Sequence, residues 1–246
     1  MLLIDNLLLL ERNKDIEVLN TNNGQIDRTI EGPGESQGGM CVSGDMLFLS
    51  DFRNKNIQVL RVNDGAYIQT FDGNGKFKRP TQLCIFGDYL FVADIIGNNN
   101  SIIHVLNATD GSYVRSIGDG KLGYPSAMLV SGQEIFVLES NSRIQVLNVN
   151  DGSYIRTMAN ERGSQPGQFN FPSDICVLGQ EIFVTDLMNN RIQVLNVNDG
   201  SYIRTIGNRG GSQPGQFNMP SSICVSKKGE LFVKDLRNKR IQVFQI

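Results

Sequence analysis

Acidic side chains recur at one position of a repeated pattern in this sequence of 246 residues. Each closes an apolar segment, and five carboxylates in register could hold a metal ion or perform acid–base chemistry. A residue that serves a single active site has no reason to appear in every repeat. We therefore predict a structural role, in which each carboxylate accepts backbone N–H hydrogen bonds from the turn that follows it. The five residues are Asp51, Asp94, Glu139, Asp186 and Asp235.

Basic side chains and the only histidine occupy the segment that follows these acids. Arg143, Arg191 and Arg240 begin this segment in three repeats, and we predict that they pair with neighbouring carboxylates and brace the fold. His104 takes the position that glutamine occupies in other repeats, so we interpret it as a polar residue on a strand face. A zinc site that uses several histidines cannot be built from one.

Cysteine is the other residue type that could carry chemistry. The four cysteines are widely spaced and form no Cys-x-x-Cys motif. They fall at matching positions of an apolar segment in four repeats, at Cys41, Cys84, Cys176 and Cys224. We predict buried thiols without disulfides, because different repeats separate them in space. We therefore expect no catalytic residue, no metal, no cofactor and no enzymatic activity. A lyase or hydrolase is the disfavoured alternative.

Composition limits the function classes further. The 23 Lys and Arg residues nearly balance the 25 Asp and Glu residues, so the chain lacks the global basic field that favours non-specific nucleic-acid binding. Hydrophobic residues make up 40% of the sequence, as expected of a folded protein. No apolar run reaches the roughly 18 residues of a membrane span. We expect a cytoplasmic protein that does not associate with a membrane, since its cysteines suit a reducing compartment.

An internal repeat organises the whole chain. A segment of the type Ile-Gln-Val-Leu recurs at Ile16, Ile57, Ile103, Ile144, Ile192 and Ile241, at intervals of 41, 46, 41, 48 and 49 residues. Within each repeat apolar residues alternate with period two, which indicates antiparallel strands, and four strands fit each repeat. Asp-Gly pairs, which favour two-residue turns with positive φ, join the last two strands at residues 64–65, 110–111, 151–152 and 199–200.

Repeats of this length with four strands each predict an all-β fold, a six-bladed β-propeller of four-stranded antiparallel blades. We expect one domain over residues 1–246, with blades at about 1–30, 31–72, 73–118, 119–159, 160–207 and 208–246. Residues 1–4 are predicted as the inner strand of the first blade, which leaves three strands for the last. Closure by side-chain packing, recruitment of the N-terminal strand elsewhere and a truncated chain all remain open. An exposed edge could also pair with another molecule.

Two segments carry a family resemblance. PSSICVSKKGELFVKDLRNKRIQVF at 220–244 and PSDICVLGQEIFVTDLMNNRIQVLNVNDGSYIRTIG at 172–207 resemble the NHL repeat. The resemblance implies a six-bladed propeller of the kind found in RNA-binding and protein-binding modules, in ubiquitin-ligase tails and in some lyases. Since one fold serves so many activities, the resemblance does not determine the function.

Loops are the natural place for binding on a rigid scaffold. Antiparallel connectivity places the loops between second and third strands on the same face as the loops between blades. Basic residues cluster in these loops around blades six, one and two and the connection into blade three. The candidate binding residues are Arg12, Lys14, Arg53, Lys55, Lys76, Phe77, Lys78, Arg79, Arg237, Lys239 and Arg240.

These residues favour a protein or peptide partner. The alternative is single-stranded RNA, whose phosphates would contact the basic arc and whose bases would stack on Phe52 and Phe77. A second possible surface is formed by the long loops at 159–172 and 207–220, which contain Phe169, Phe171 and Phe217. For these loops we prefer a structural role, in which Phe169 and Phe217 pack between blades.

Overall fold

The computed structural model describes residues 1–12, 15–32, 37–159, 161–207 and 210–246. Within these residues, 23 β-strands form six antiparallel sheets, and two short 3-10 turns are the remaining regular elements. The chain divides into two compact units, Met1–Pro125 with Asp151–Ser153, and Ser126–Asn150 with Tyr154–Ile246. No helix in the described part of the chain is long and apolar enough to cross a membrane.

The first unit contains three four-stranded sheets. Their strands follow one another in sequence order from one edge of the sheet to the other. The first sheet contains β1 (Leu2–Ile4), β2 (Leu7–Arg12), β3 (Asp15–Asn20) and β4 (Ile26–Glu31); the second contains β5 (Gln37–Ser43), β6 (Met46–Asp51), β7 (Asn56–Arg61) and β8 (Tyr67–Phe71); the third contains β9 (Pro80–Phe86), β10 (Tyr89–Gly97), β11 (Asn100–Asn107) and β12 (Tyr113–Leu122).

The next three sheets follow the same order, and the last has three strands. The fourth sheet contains β13 (Pro125–Ser131), β14 (Glu134–Glu139), β15 (Arg143–Asn148) and β16 (Tyr154–Met158); the fifth contains β17 (Pro172–Leu178), β18 (Glu181–Asp186), β19 (Arg191–Asn196) and β20 (Tyr202–Ile206); the sixth contains β21 (Pro220–Val225), β22 (Glu230–Asp235) and β23 (Arg240–Gln245).

Each sheet is one blade, and the fold class is the predicted six-bladed β-propeller with a three-stranded last blade. The N-terminal strand β1 pairs with β2 in the first blade, as predicted. The predicted blade boundary at residue 118 is wrong, because β12 continues through it to Leu122. That the whole chain is one domain stays a prediction.

Burial along the strands explains why the sequence folds this way. The second strand of a blade is covered on both faces, and five of the six residues of β18 are buried. The centre of such a strand is a continuous apolar run, Ile-Phe-Val in β18. The outermost strand β20, Tyr-Ile-Arg-Thr-Ile, has two exposed and three partly buried residues. Charged residues such as Arg204 on an edge strand disfavour non-specific pairing of that edge.

The turns between third and fourth strands differ from the prediction. The Asn196 N–H donates to the Ser201 carbonyl at 2.8 Å, so the loop encloses four residues instead of two. Gly200 alone has a positive φ in this loop, at 75°. The Asn196 and Asp199 side chains each accept the N–H two residues further on, at 2.9 Å, and these Asx turns stabilise the wider loop.

Apolar clusters join neighbouring blades within each unit. In the first unit one cluster connects blades one and two, and another connects blades two and three. In the second unit two clusters connect blades four and five and blades five and six. A phenylalanine of the second strand is buried in five blades, at Phe48, Phe91, Phe136, Phe183 and Phe232.

The cysteines are free thiols, as predicted. Cys41, Cys84 and Cys224 are buried, and Cys176 is partly buried. Burial disfavours the thiolate and raises the pKa of Cys224 to about 12. These thiols are therefore poor nucleophiles at neutral pH.

Candidate functional site

The carboxylates that close the second strands are saturated with internal donors. Asp186, which is fully buried, accepts hydrogen bonds from the Asn170 N–H at 2.7 Å and from Asn189 Nδ2 and Arg191 Nε at 2.8 Å. Asp235 accepts the equivalent bonds from Asn218, Asn238 and Arg240 at 2.7 to 2.9 Å. The predicted structural role of these two acids is therefore correct.

The source of the backbone donors is different from the prediction. Asp51 accepts N–H groups from the turn that follows it, from Arg53 at 3.1 Å and Asn54 at 2.9 Å. Asp94, Asp186 and Asp235 instead accept backbone N–H groups from the loop that precedes their blade. The reason is that this loop runs back across the end of the second strand before the first strand begins.

The arginines after these acids clamp the long loops. Arg191 donates to the carbonyls of Ser164, Gln165 and Gln168 at 2.8, 3.1 and 2.9 Å, in addition to its bond to Asp186. Arg240 donates to the carbonyls of Ser212, Gln213 and Gln216 at 2.7 to 2.9 Å and to Asp235. We call these two groups the arginine clamps.

The predicted bracing role of arginine is confirmed, since Arg143 likewise pairs with Glu139. The inclusion of Arg240 among the binding residues is wrong, because its donors are used within the clamp. The long loops also behave as predicted. Phe169 and Phe217 are fully buried, in the apolar clusters that join blades four to five and five to six. Phe171 is exposed, and the Arg162 guanidinium lies 4.7 Å from its ring centroid.

His104 is a buried residue of strand β11. The residue is 5% exposed, and Nε2 lies 3.1 Å from Oδ2 of Asp94. The edges of the Phe77 and Tyr113 rings enclose the imidazole, with centroids at 5.4 and 5.8 Å. Within the described ranges Nδ1 has no hydrogen-bond partner, and His, Cys, Asp and Glu side chains nowhere gather in a group of three that could hold a metal ion.

Two loops of the first unit bring five basic side chains together. Arg53 and Lys55 lie in the turn between β6 and β7, and Lys76, Lys78 and Arg79 lie in the connection between β8 and β9; all five are exposed. The Arg79 guanidinium lies 5.4 Å from the ring centroid of Phe52, which places the loops side by side. We call these five residues the basic patch.

The basic patch shares its second loop with one exposed carboxylate, Asp72, which accepts the Asn74 N–H at 2.8 Å. None of its five cations forms an ion pair with a described residue, whereas Arg61 nearby is bound to Asp64 at 2.9 Å. At the other end of the same blades lie the Asp64 and Asp110 turns. Backbone N–H groups two residues further on lower the pKa of both carboxyls, which holds them ionised. These blades therefore carry basic side chains at one end and acidic turns at the other.

Several predicted binding residues are not part of this patch. Phe77 is 2% exposed, because its ring packs against the Gly73 backbone, where an added Cβ would lie 2.7 Å from the ring; its prediction as a binding residue is wrong. Arg12 is exposed and bound to Glu17 at 2.8 Å. Lys14 lies outside the described residues. Arg237 and Lys239 are exposed in the turn between β22 and β23 of the second unit, and their role in binding stays a prediction.

One set of polar contacts was not predicted. Glu134 and Glu181, at the start of the second strands of blades four and five, form bidentate pairs with Arg156 and Arg204 of the outermost strands. The signal is present in the sequence, because glutamate recurs at this position in Glu230. An arginine at the fourth position of each SYIRT string completes it.

Comparison with known families supports the fold. The sequence family described as "6-bladed beta-propeller" matches residues 168–246, less than half of the chain. No curated protein matches the sequence. This match supports the six-bladed propeller fold. Membership of the NHL family stays a prediction.

Solved structures match over most of the chain at low identity. Hydrazine synthase from Kuenenia stuttgartiensis has a TM-score of 0.70 at 11% identity, covering 98% of this chain and 92% of that one. The computationally designed Ika8 protein has a TM-score of 0.60 at 12% identity, covering 100% and 82%. A nidogen/laminin complex has a TM-score of 0.63 at 18% identity, covering 78% and 75%. At these identities the likeness establishes the fold alone.

Proposed function

We propose that this chain is a non-catalytic recognition scaffold and that the basic patch binds an acidic segment of a protein or peptide partner. The observation that supports this most directly is the cluster of five exposed cations that lack carboxylate partners among the described residues of the first unit. A surface of one sign attracts and orients a partner of the other sign. The blades on either side hold both loops in place.

An acidic peptide fits the patch better than single-stranded RNA. Base stacking needs an open aromatic face, and each aromatic ring near the patch is occupied. Phe77 is buried, Arg79 covers Phe52, and the Lys76 ammonium lies 4.8 Å from the ring centroid of Tyr113. Phosphate contacts alone would leave an RNA without these stacking contributions.

The structural relatives are compatible with this proposal and do not by themselves select it. One of them was solved as a complex of two proteins, and another is named as an enzyme. The same fold therefore supports binding and catalysis, and function has to be argued from the site. Among the described residues of the first unit, the basic patch is a cluster of exposed cations without ion-pair partners.

The direct test measures binding of a fluorescent decamer of glutamate to the intact chain. We expect the combined substitutions Arg53→Gln, Lys55→Asn and Lys78→Gln to weaken binding at least about threefold, since exposed charge pairs each contribute about 0.2–1 kcal/mol. Asparagine is chosen at position 55 because Lys55 has a φ of 56°, a conformation that asparagine tolerates.

The control variant removes charge outside the patch, in the second unit. Lys227→Gln with Lys228→Gln alters two exposed lysines in the turn between β21 and β22 and should leave binding unchanged. Equal weakening by both variants would show attraction to net charge only and would contradict the proposal. Tighter binding of an oligouridine than of the glutamate peptide would favour the RNA alternative.

A further inference from the structure

Three exposed apolar side chains lie in hydrogen-bonded loops of the second unit. Phe171 is 48% exposed, Met188 is 50% exposed and Leu236 is 43% exposed. The Met188 N–H donates to the Asn170 carbonyl at 3.1 Å, which joins it to the loop of Phe171. The Leu236 N–H donates to the Met219 carbonyl at 3.3 Å. We call Phe171, Met188, Met219 and Leu236 the apolar rim.

A further hydrogen bond joins the two halves of the apolar rim. The Met219 N–H donates to Oδ1 of Asn190 at 2.8 Å, and Asn190 ends the short 3-10 turn Leu187–Asn189 that carries Met188. The loop before blade six therefore lies beside the turn between the second and third strands of blade five. Apolar side chains that are grouped on a folded protein mark an interaction surface, whereas single exposed ones are ordinary.

The fold does not require apolar residues at these positions. Phe171 precedes the proline that begins a blade, and Met188 lies two residues after the carboxylate that closes a second strand. In the first unit Arg79 and Arg53 occupy these two positions, and both are exposed. Because a charged residue satisfies the blade at either position, packing of the blades does not account for the phenylalanine or the methionine.

The backbone of the apolar rim does not account for these residues either. Phe171 has a φ of 54° and Met219 has a φ of 59°. Residues with bulky side chains rarely adopt this left-handed conformation, which glycine and asparagine tolerate. A phenylalanine and a methionine are therefore held there in spite of their backbone preference, which assigns the role to their side chains.

A cation lies directly on the apolar rim. The Arg162 guanidinium lies 4.7 Å from the ring centroid of Phe171, and its Nε donates to Oδ1 of Asn170 at 3.1 Å. The exposed carboxylate of the same loop, Glu161, accepts from Nε2 of Gln168 at 2.9 Å. Arg162 forms no ion pair with a described residue, so its charge is open to a partner beside the ring.

Two more cations border the other half of the apolar rim. Arg237 and Lys239 are exposed in the turn that begins at Leu236, and neither forms an ion pair with a described residue. The described residues of these loops thus carry three exposed cations and one exposed carboxylate. A partner that covers the rim has to supply apolar side chains for the rim and carboxylates for the cations around it.

We propose that the apolar rim binds a segment of a partner protein in which phenylalanine or leucine side chains alternate with carboxylates. The apolar side chains pack against Phe171 and Met188, whose thioether adapts to different shapes, and the carboxylates bind Arg162 and Arg237. The arginine clamps hold both long loops in place before the partner arrives, which lowers the entropy cost of binding. This surface lies in the second unit and does not depend on the basic patch.

A membrane and a second copy of the chain fit the apolar rim less well. Clusters that bind anionic lipids contain about four to eight basic residues, and the rim has three beside it. Two copies that paired rim to rim would place these cations against one another. A protein segment that brings carboxylates is therefore the occupant that the charges favour.

The experiment measures binding of the fluorescent peptide Asp-Phe-Glu-Leu-Asp-Phe-Glu to the intact chain by anisotropy. A second peptide has glutamine in place of the three apolar residues and keeps the four carboxylates. We expect the first peptide to bind at least about tenfold more tightly, since only it buries apolar side chains. The triple variant of the basic patch, Arg53→Gln with Lys55→Asn and Lys78→Gln, should keep this preference, which separates the outcome from that of the patch.

Substitutions in the apolar rim locate the site. Phe171→Asn should weaken binding of the first peptide at least about tenfold, because the ring is lost while asparagine keeps the left-handed backbone. Met188→Gln should weaken it at least about threefold. Ile203→Gln alters an exposed apolar side chain of the outermost strand β20 and is the matched control, which should bind as the wild type does. Thermal melting shows that each variant is folded.

Absence of binding up to about 1 mM of the first peptide would overturn the proposal. So would equal affinity of the two peptides, or an unchanged affinity in Phe171→Asn. Binding to phosphatidylserine vesicles that is lost in Phe171→Asn, without binding of the peptide, would identify a membrane as the occupant. A dimer in solution that dissociates in the same variant and excludes the peptide would identify a second copy. Either of these results would also overturn the proposal.

Discussion

Arginine has opposite roles in two regions of this molecule. In the arginine clamps, Arg191 and Arg240 each bind a buried carboxylate and three backbone carbonyls of a long loop. In the basic patch, Arg53 is exposed and forms no ion pair with a described residue. The clamp recurs in two blades. Arg53 and Lys55 also have counterparts, in Arg237 and Lys239 of the last blade, so the feature that distinguishes the basic patch is the second loop beside them, which carries Lys76, Lys78 and Arg79. Arginines that bind buried carboxylates and loop carbonyls maintain the fold, and recognition is expected where the exposed cations of two loops come together.

The largest expected effect concerns the long loop of blade five. Phe169 is fully buried, and Phe171, two residues later, is exposed. Phe169→Ala should lower the free energy of unfolding by about 3–5 kcal/mol, because it leaves a cavity between blades four and five. Phe171→Ala should change it by less than about 0.5 kcal/mol. Denaturant unfolding measures both, and similar losses would show that burial does not separate the two rings.

The clamp itself is the next test. Arg191→Ala leaves the buried Asp186 carboxylate and three carbonyls without their donor, so stability should fall by about 3 kcal/mol. Arg53→Ala removes an exposed side chain and should change stability by less than about 0.5 kcal/mol. If both variants have the melting temperature of the wild type, the clamp does not stabilise the loop.

The smallest effect concerns the acidic turns at the other end of the blades. The Ser201 N–H is the main cause that lowers the pKa of Asp199, and the equivalent serines lower those of Asp110 and Asp151. A carboxyl whose pKa is lower in the folded state stabilises the fold at pH values above its unfolded pKa of about 3.9. This stabilisation is lost as the pH falls through the folded-state pKa. Replacing all three with asparagine should flatten the decline in stability below about pH 4. An unchanged acid limb in pH-dependent unfolding would contradict this.

The sequence predicts the blades well because each one is a local pattern. Alternating apolar residues and a fixed period are sufficient to predict six sheets, the inner strand β1 and the three-stranded last blade. Phe169 and Phe217 were also predicted correctly, since each follows the same repeated Gly-Gln string. Residues at equivalent positions of different blades have the same surroundings, so one repeat predicts the others.

The contacts made by the loops between blades were harder to predict. Phe77 lies between two lysines, which suggested exposure, yet the backbone at Gly73 admits its ring to the core. The backbone N–H that donates to Asp186 belongs to Asn170, 16 residues earlier. The composition of the loop does not indicate that its backbone runs back to this carboxylate. The hydrogen bonds that bind Arg240 come from carbonyl groups, which every residue carries, so the sequence could not indicate them.

The account is tested most directly by measuring stability and peptide binding together for Arg191→Gln and Arg53→Gln. It predicts that Arg191→Gln lowers the melting temperature and leaves affinity for the glutamate decamer unchanged, while Arg53→Gln weakens binding and melts as the wild type does. The reverse assignment, with Arg53 needed for stability and Arg191 for binding, would contradict it.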